Sequence, residues 1–281
     1  MSDAAPIHEP REVHARQRVR VRIWDAPTRL FHWTLAAAFA FCWYTAENDQ
    51  MAWHRWSGYA ILGLLAFRIY WGLVGASTAR FANFVKGPRA IGAYLRALAG
   101  ARGAPAARLP DSHLQIGHNP LGALSVIALL ALLIVQTILG LYAVDVDGIE
   151  SGPLSQYVDF DTGRAAAKLH HLAFNALLVL VGLHLSAIAF YLFIKRDNLI
   201  GPMVSGRKTT PDAPGAANVT STRDASDAAG APGAPNAAGA PGAPSVGAGR
   251  AGAAFAPLWR LLPGLAIAAA LVAAVMKGFK I

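Results

Sequence analysis

Cysteine is almost missing: Cys42 is the only one in 281 residues. That excludes disulfide pairing within the chain, iron–sulfur clusters and a CxxCH site for covalent haem. Any metal chemistry must therefore rest on histidine. Charge is also scarce, at 15% of residues, against about 25% in an ordinary soluble domain. Carboxylates are the scarcer sign, 16 against 25 basic residues, for a net charge of +9. A nucleic-acid partner would need those basic residues gathered with aromatics on one soluble face. They are instead split among separate segments, so that class is set aside.

What the chain has is apolar length. Hydrophobic residues make up 54% of it, with a mean hydropathy of +0.37. They fall in blocks near the roughly 20 residues that cross a bilayer. The blocks run from about Leu30 to Tyr44, Trp53 to Val74, Leu121 to Val144 and Leu169 to Ile194, with a weaker one at Leu261 to Met276. The fold class expected is all-α, a polytopic membrane four-helix bundle. A fifth, C-terminal transmembrane helix is expected after a disordered tether, with a surface-lying helix as the alternative.

Basic residues mark one side of that bundle. Arg11, Arg16, Arg18, Arg20, Arg22 and Arg29 precede the first span. Arg80, Lys86, Arg89, Arg96, Arg102 and Arg108 lie between spans two and three, and Lys195, Arg196, Arg207 and Lys208 follow span four. The segment from Asp145 to Lys168 is acidic. By the positive-inside rule the N-terminus is cytoplasmic and the acidic loop faces outward. After Tyr44 the chain reads TAENDQ, without a small-residue cleavage site, so the first span is expected to stay as an anchor.

Four segments follow. Residues 1–26 read as a polar cytoplasmic leader, whose RVRVRIW alternates like a strand but is expected to lie along the membrane surface for want of a sheet. Residues 27–208 are the four-helix transmembrane domain. Within it FANFVKGPRAIGAYLRALAG has the spacing of an interfacial helix, with an ordinary solvated helix as the alternative. Residues 209–256 are rich in Ala, Gly and Pro and have too little to bury to offset the entropy of ordering. Residues 257–281 hold the fifth helix.

Histidine carries the chemistry. His8, His14 and His113 read as solvated, and His118 as a helix-start residue or a quinone-site group. His170 and His184 are 14 residues apart, about 21 Å along a helix with only about 40° between them. His171 is turned roughly 140° from His184, which makes it the bystander. Span direction sets depth: His54 is beside His170 at the outer level, and His32 beside His184 at the inner level. Two facing imidazoles form an axial clamp for a b-type haem, so two b haems are expected at two depths. A zinc site fits less well, because the pairs are too far apart to supply four ligands. Histidines that bond to neighbouring helices or line a proton path are the competing reading, in which the chain is a haem-free proton-coupled transporter.

Arg68 is 14 residues after His54 and faces the same side at the inner level, where a haem propionate would pair with it. Arg29 has two readings, the same role or snorkelling to lipid headgroups. Gly58 and Gly63 leave room for a porphyrin face or for close helix packing.

On these residues a family is recognisable. RLFHW in span one, MAWHRWSGYAILGLLAFRIYWGLVG in span two, GHNPLGAL at span three and LHHLAFNALLVLVGLH in span four resemble the bacterial di-haem cytochrome b561 family. That family includes the b-type cytochrome subunits of nickel–iron hydrogenases. The resemblance covers roughly Val21 to Lys208 and implies two b haems ligated from spans one, two and four. By position the ligands are His32, His54, His170 and His184, with span three supplying packing. It further implies electron transfer between the quinone pool and a redox partner in a respiratory chain. The partner is a c-type cytochrome or an oxidoreductase subunit. Members also serve as membrane anchors of hydrogenases or molybdoenzymes, or as superoxide:quinone oxidoreductases. The tether and fifth helix lie outside the pattern and leave docking of a partner, or of a second copy as a homodimer, open.

Overall fold

A computed structural model describes residues 18–85, 87, 89, 91–93, 96, 120–147, 150–211 and 255–278. The leader before Arg18, nine of the 20 residues of the expected interfacial helix, His8, His14, His113, His118 and most of the tether lie outside the described residues. Of the described residues, 22–208 and 255–278 belong to one compact unit, and 18–21 and 209–211 to another.

Helix α1 (Ala26–Glu47) begins where Asp25 caps it, its carboxylate accepting from the Thr28 amide at 3.0 Å, with Pro27 in the first turn. Both features satisfy or remove amides that have no partner inside a helix. The chain reverses at Asn48–Gln50, where Asp49 takes a positive φ of 55°, and runs back as α2 (Met51–Val74). A short α3 (Phe81–Phe84) follows. Then α4 (Pro120–Tyr142) and α5 (Phe160–Phe193) form a second antiparallel pair.

Helix α5 starts nine residues before the apolar block that announced it. Asp159 caps it, accepting from the Thr162 amide at 2.8 Å. Its 34 residues span about 51 Å, well beyond a hydrocarbon core of about 30 Å. The acidic loop is correspondingly shorter than expected and is folded back on α4. There Gly152 and Leu154 donate to the carbonyls of Ala143 and Leu141 at 2.8 and 2.9 Å.

After α5 comes a short α6 (Ile200–Ser205), stopped by Gly206 at φ 77°. The Gly206 carbonyl accepts from the amides of Ile23 at 2.8 Å and Trp24 at 3.3 Å. Alongside, β1 (Arg18–Arg22) pairs with β2 (Arg207–Pro211) as a two-stranded sheet. The expectation for RVRVRIW is corrected here: the alternation finds a strand partner, at the start of the stretch read as tether.

The last helix, α7 (Leu261–Met276), packs on α2. Its direction is fixed at both ends. Arg260 donates to the Val74 carbonyl at 2.9 Å, while Gln156 and Tyr157 of the acidic loop donate to the Gly278 carbonyl. Gly264 makes the close approach, since a Cβ there would meet Tyr70 Cδ1 at 2.6 Å.

Helix α2 is thus the centre, packed on α1, α4 and α7. Ile61 and Leu65 meet Leu133 of α4 and Leu177 of α5 in a core where Leu177 is wholly buried. Outward, Leu124, Val135, Leu172, Val179 and Leu183 are exposed, as a lipid-facing surface requires. Among the described residues, four helical segments are long and apolar enough to cross a membrane: Met51–Val74, Leu121–Tyr142, Phe160–Phe193 and Leu258–Met276. Helix α1, with Arg29, His32 and Glu47 along it, is not among them and lies against α2. The molecule is a helical membrane bundle with a C-terminal helix added to it.

Candidate functional site

Two histidine pairs stand at two levels of the bundle. At the end bearing the acidic loop, His54 lies in the first turn of α2 and His170 in the third turn of α5. Their ring centres are 6.2 Å apart and their planes cross at 85°. His54 Nδ1 is 3.0 Å from the Cys42 carbonyl of α1 and 3.3 Å from Cys42 Sγ. His170 Nδ1 is 2.9 Å from the Gln136 carbonyl of α4. A carbonyl oxygen only accepts, so Nδ1 carries the hydrogen on both rings and Nε2 keeps its lone pair. Metal-ligating imidazoles are held in this way, the far nitrogen donating to a carbonyl and the near one free to bind.

The spacing suits one shared metal ion, since two metal–nitrogen bonds of about 2.0 Å put imidazole centres roughly 6 Å apart. The surroundings fit a flat group as well. Gly58, one turn after His54, faces open space, with nothing within 4 Å of a Cβ built there. The Gln136 side-chain amide approaches His170 Nε2 at 3.1 Å, on the lone pair that iron would take. Its Oε1 is buried with no hydrogen-bond partner.

At the other, basic end His32 of α1 and His184 of α5 are close enough to interact electrostatically. His184 Nδ1 is 3.5 Å from Ser125 Oγ of α4. His32 Nδ1 is buried with no partner, and its ring stands edge-on to Trp33 at 5.1 Å. An orphaned buried nitrogen is costly unless something occupies the site. His171 is exposed, 6.5 Å from the ring centre of His170. Among the described residues, no group of three or more His, Cys, Asp or Glu side chains gathers as a metal cage.

The match to known proteins covers these elements. Residues 23–206 match the family described as prokaryotic cytochrome b561. The chain belongs to that family. It is a membrane b-type cytochrome of electron transfer, and its family and its apolar helices point to the inner membrane. No curated protein and no solved structure matches the chain. The cytochrome b561 region begins and ends on a bonded pair, for Ile23 donates its amide to the Gly206 carbonyl at 2.8 Å. All of β2 and all of α7 lie beyond it.

The two arginines have protein partners within this cytochrome. Arg68 is 4% exposed. It donates to the Ala79 carbonyl at 3.1 Å, its guanidinium lies 4.7 Å over the Phe81 ring, and Asp25 acts on it electrostatically. Asp25 in turn accepts from Trp71 Nε1 at 2.8 Å. The buried charge is therefore compensated by protein, which removes the main premise for giving it a propionate. Arg29 donates to the Val204 carbonyl, packs beneath Gly206, and keeps a buried Nε without a partner.

Span three supplies more than the packing expected of it. Ser125 and the Gln136 carbonyl reach both α5 histidines, and Gly140 gives His170 its space: a Cβ there would meet Cε1 at 2.9 Å. Cys42 does the corresponding work for His54. In the sequence the only signal was a sparse polar stripe, Ser125 and Gln136, in an otherwise apolar helix.

Proposed function

We propose that the two histidine pairs hold two b haems, His54 with His170 and His32 with His184. They carry electrons between the membrane quinone pool and a partner redox protein, a c-type cytochrome or an oxidoreductase subunit. The observation that supports this best is the His54–His170 pair, two imidazoles 6.2 Å apart, each with Nδ1 on a backbone carbonyl. Haem, when bound, supplies one-electron chemistry; the protein sets ligand, depth and surroundings. The buried carbonyls hold the ring tautomers. The core around Leu177, Ile61, Leu65 and Leu133 keeps water from the space between the levels. Thr28 Oγ1, Arg29 Nε and Arg80 Nε, all buried without partners on basic-end segments, are donors suited to an anionic propionate. The basic end is cytoplasmic, as the distribution of arginine and lysine supports.

The test is spectroscopic. The purified protein should contain two haems per chain, show a b-type α band on reduction, and be reduced by a short-chain quinol. A protein without a b-type band would sink the reading and favour a transporter that uses its histidines for protons. A single haem would restrict it to one pair.

A further inference from the structure

In a helix, the carbonyl of residue i lies beside the side chain at i+4, close enough for a threonine there to bond back to it. For Gln136 that position is Gly140. A Cβ at Gly140 would stand 2.9 Å from Cε1 and 3.2 Å from Nδ1 of His170. Only without that carbon can the ring enter and reach the Gln136 carbonyl at 2.9 Å.

The acidic-end pair therefore has both Nδ1 groups on carbonyls, the other being His54 on Cys42 at 3.0 Å. Among the described residues the basic-end pair has no equivalent. His184 has a serine hydroxyl at 3.5 Å, and His32 Nδ1 has no partner. A hydrogen bond at Nδ1 makes an imidazole a more basic ligand, and a more basic ligand favours the ferric ion over the ferrous. Fixed charge acts in the same direction: at the acidic end Glu47 and Asp49 stand beyond the Arg55–Glu150 ion pair, and at the basic end Arg29 stands beyond Arg68, whose charge Asp25 offsets.

We propose that Gly140 is a positioning residue for His170, and that the two carbonyl bonds make the haem at the acidic end the lower-potential one of the two. This rests on the two-haem reading above. Electrons then run downhill from the acidic end to the basic end.

The test is a redox titration of the full-length protein, followed in the α band, for the wild type, Gly140→Ala and His32→Ala. The wild type should titrate in two components. His32→Ala removes the basic-end haem, and the component that survives should be the lower of the two. Gly140→Ala should move that component upward and leave the other in place. A surviving higher component in His32→Ala would overturn the proposal, as would a Gly140→Ala titration identical to the wild type. If Gly140→Ala fails to assemble, the His32→Ala titration decides alone. A wild type with no α band would refute the haem reading itself, a distinct result.

Discussion

His54 and His170 are 116 positions apart in the chain, yet their imidazoles stand 6.2 Å apart and nearly perpendicular. Helix α2 packs directly on α1, α4 and α7; toward α5 it is bridged by side chains, these two rings and the Ile61, Leu65 and Leu177 contacts below them. The pair thus lines a space between helices rather than a helix contact.

The neighbouring histidines of α5 should behave differently. His170→Ala is expected to halve the haem content of the purified protein, and His171→Ala, at an exposed ring, to leave it unchanged. A haem assay on both variants checks this. Equal losses would contradict the assignment.

Arg68 should prove structural. Arg68→Ala removes the charged bond to Ala79 and the cation beside buried Asp25, a loss of about 2 kcal/mol. Its melting temperature in detergent should fall while two haems remain. Loss of one haem at an unaltered melting temperature would instead tie Arg68 to a propionate.

Acid should loosen the start of α5. The amide and hydroxyl of Thr162 hold the exposed Asp159 carboxyl below its usual range. A folded value below the unfolded one means the contribution is complete above the unfolded carboxylate range and disappears as pH falls through the lowered value. Asp159→Asn keeps a capping oxygen without the titration, so its melting temperature should fall less steeply than the wild type's between about pH 5 and pH 2. Matching slopes would remove Asp159 from the account.

The C-terminal helix should matter for stability rather than for cofactor. Gly264→Val places its side chain against Tyr70, where even a Cβ would sit at 2.6 Å from Cδ1. Overpacking of this kind costs about 1–3 kcal/mol. The variant should melt earlier and still bind two haems, and a drop in haem content would show that α7 supports the site.

Much of this was legible in the sequence because bilayer length and helical phase are strong constraints. The apolar blocks of α2, α4 and α7 match the helices to within a few residues, and one residue of phase separates paired His170 from exposed His171. The misses have physical causes. β1 looked partnerless because its partner, Arg207–Pro211, is far along the chain and borders a low-complexity stretch. The start of α5 was hidden because Asp159 and Asp161 read as loop charges, although one of them is the cap. Arg68 looked unpaired because its partners are a backbone carbonyl, the phenylalanine that opens α3 and the cap of another helix, none on its own helix face. The carbonyls of Cys42 and Gln136 leave no mark in any side-chain pattern.

Helix α7 lies along Trp56, Tyr59, Gly63, Phe67 and Tyr70 of α2, a face about 180° around the helix from His54. It also follows all four histidines in the chain. Every histidine of both pairs is therefore synthesised, and the bundle that presents them complete, before α7 exists. Its arrival closes over the finished assembly from outside, fastening Val74 at one end and the acidic loop at the other. A chain stalled before Leu261 has already made all four histidines.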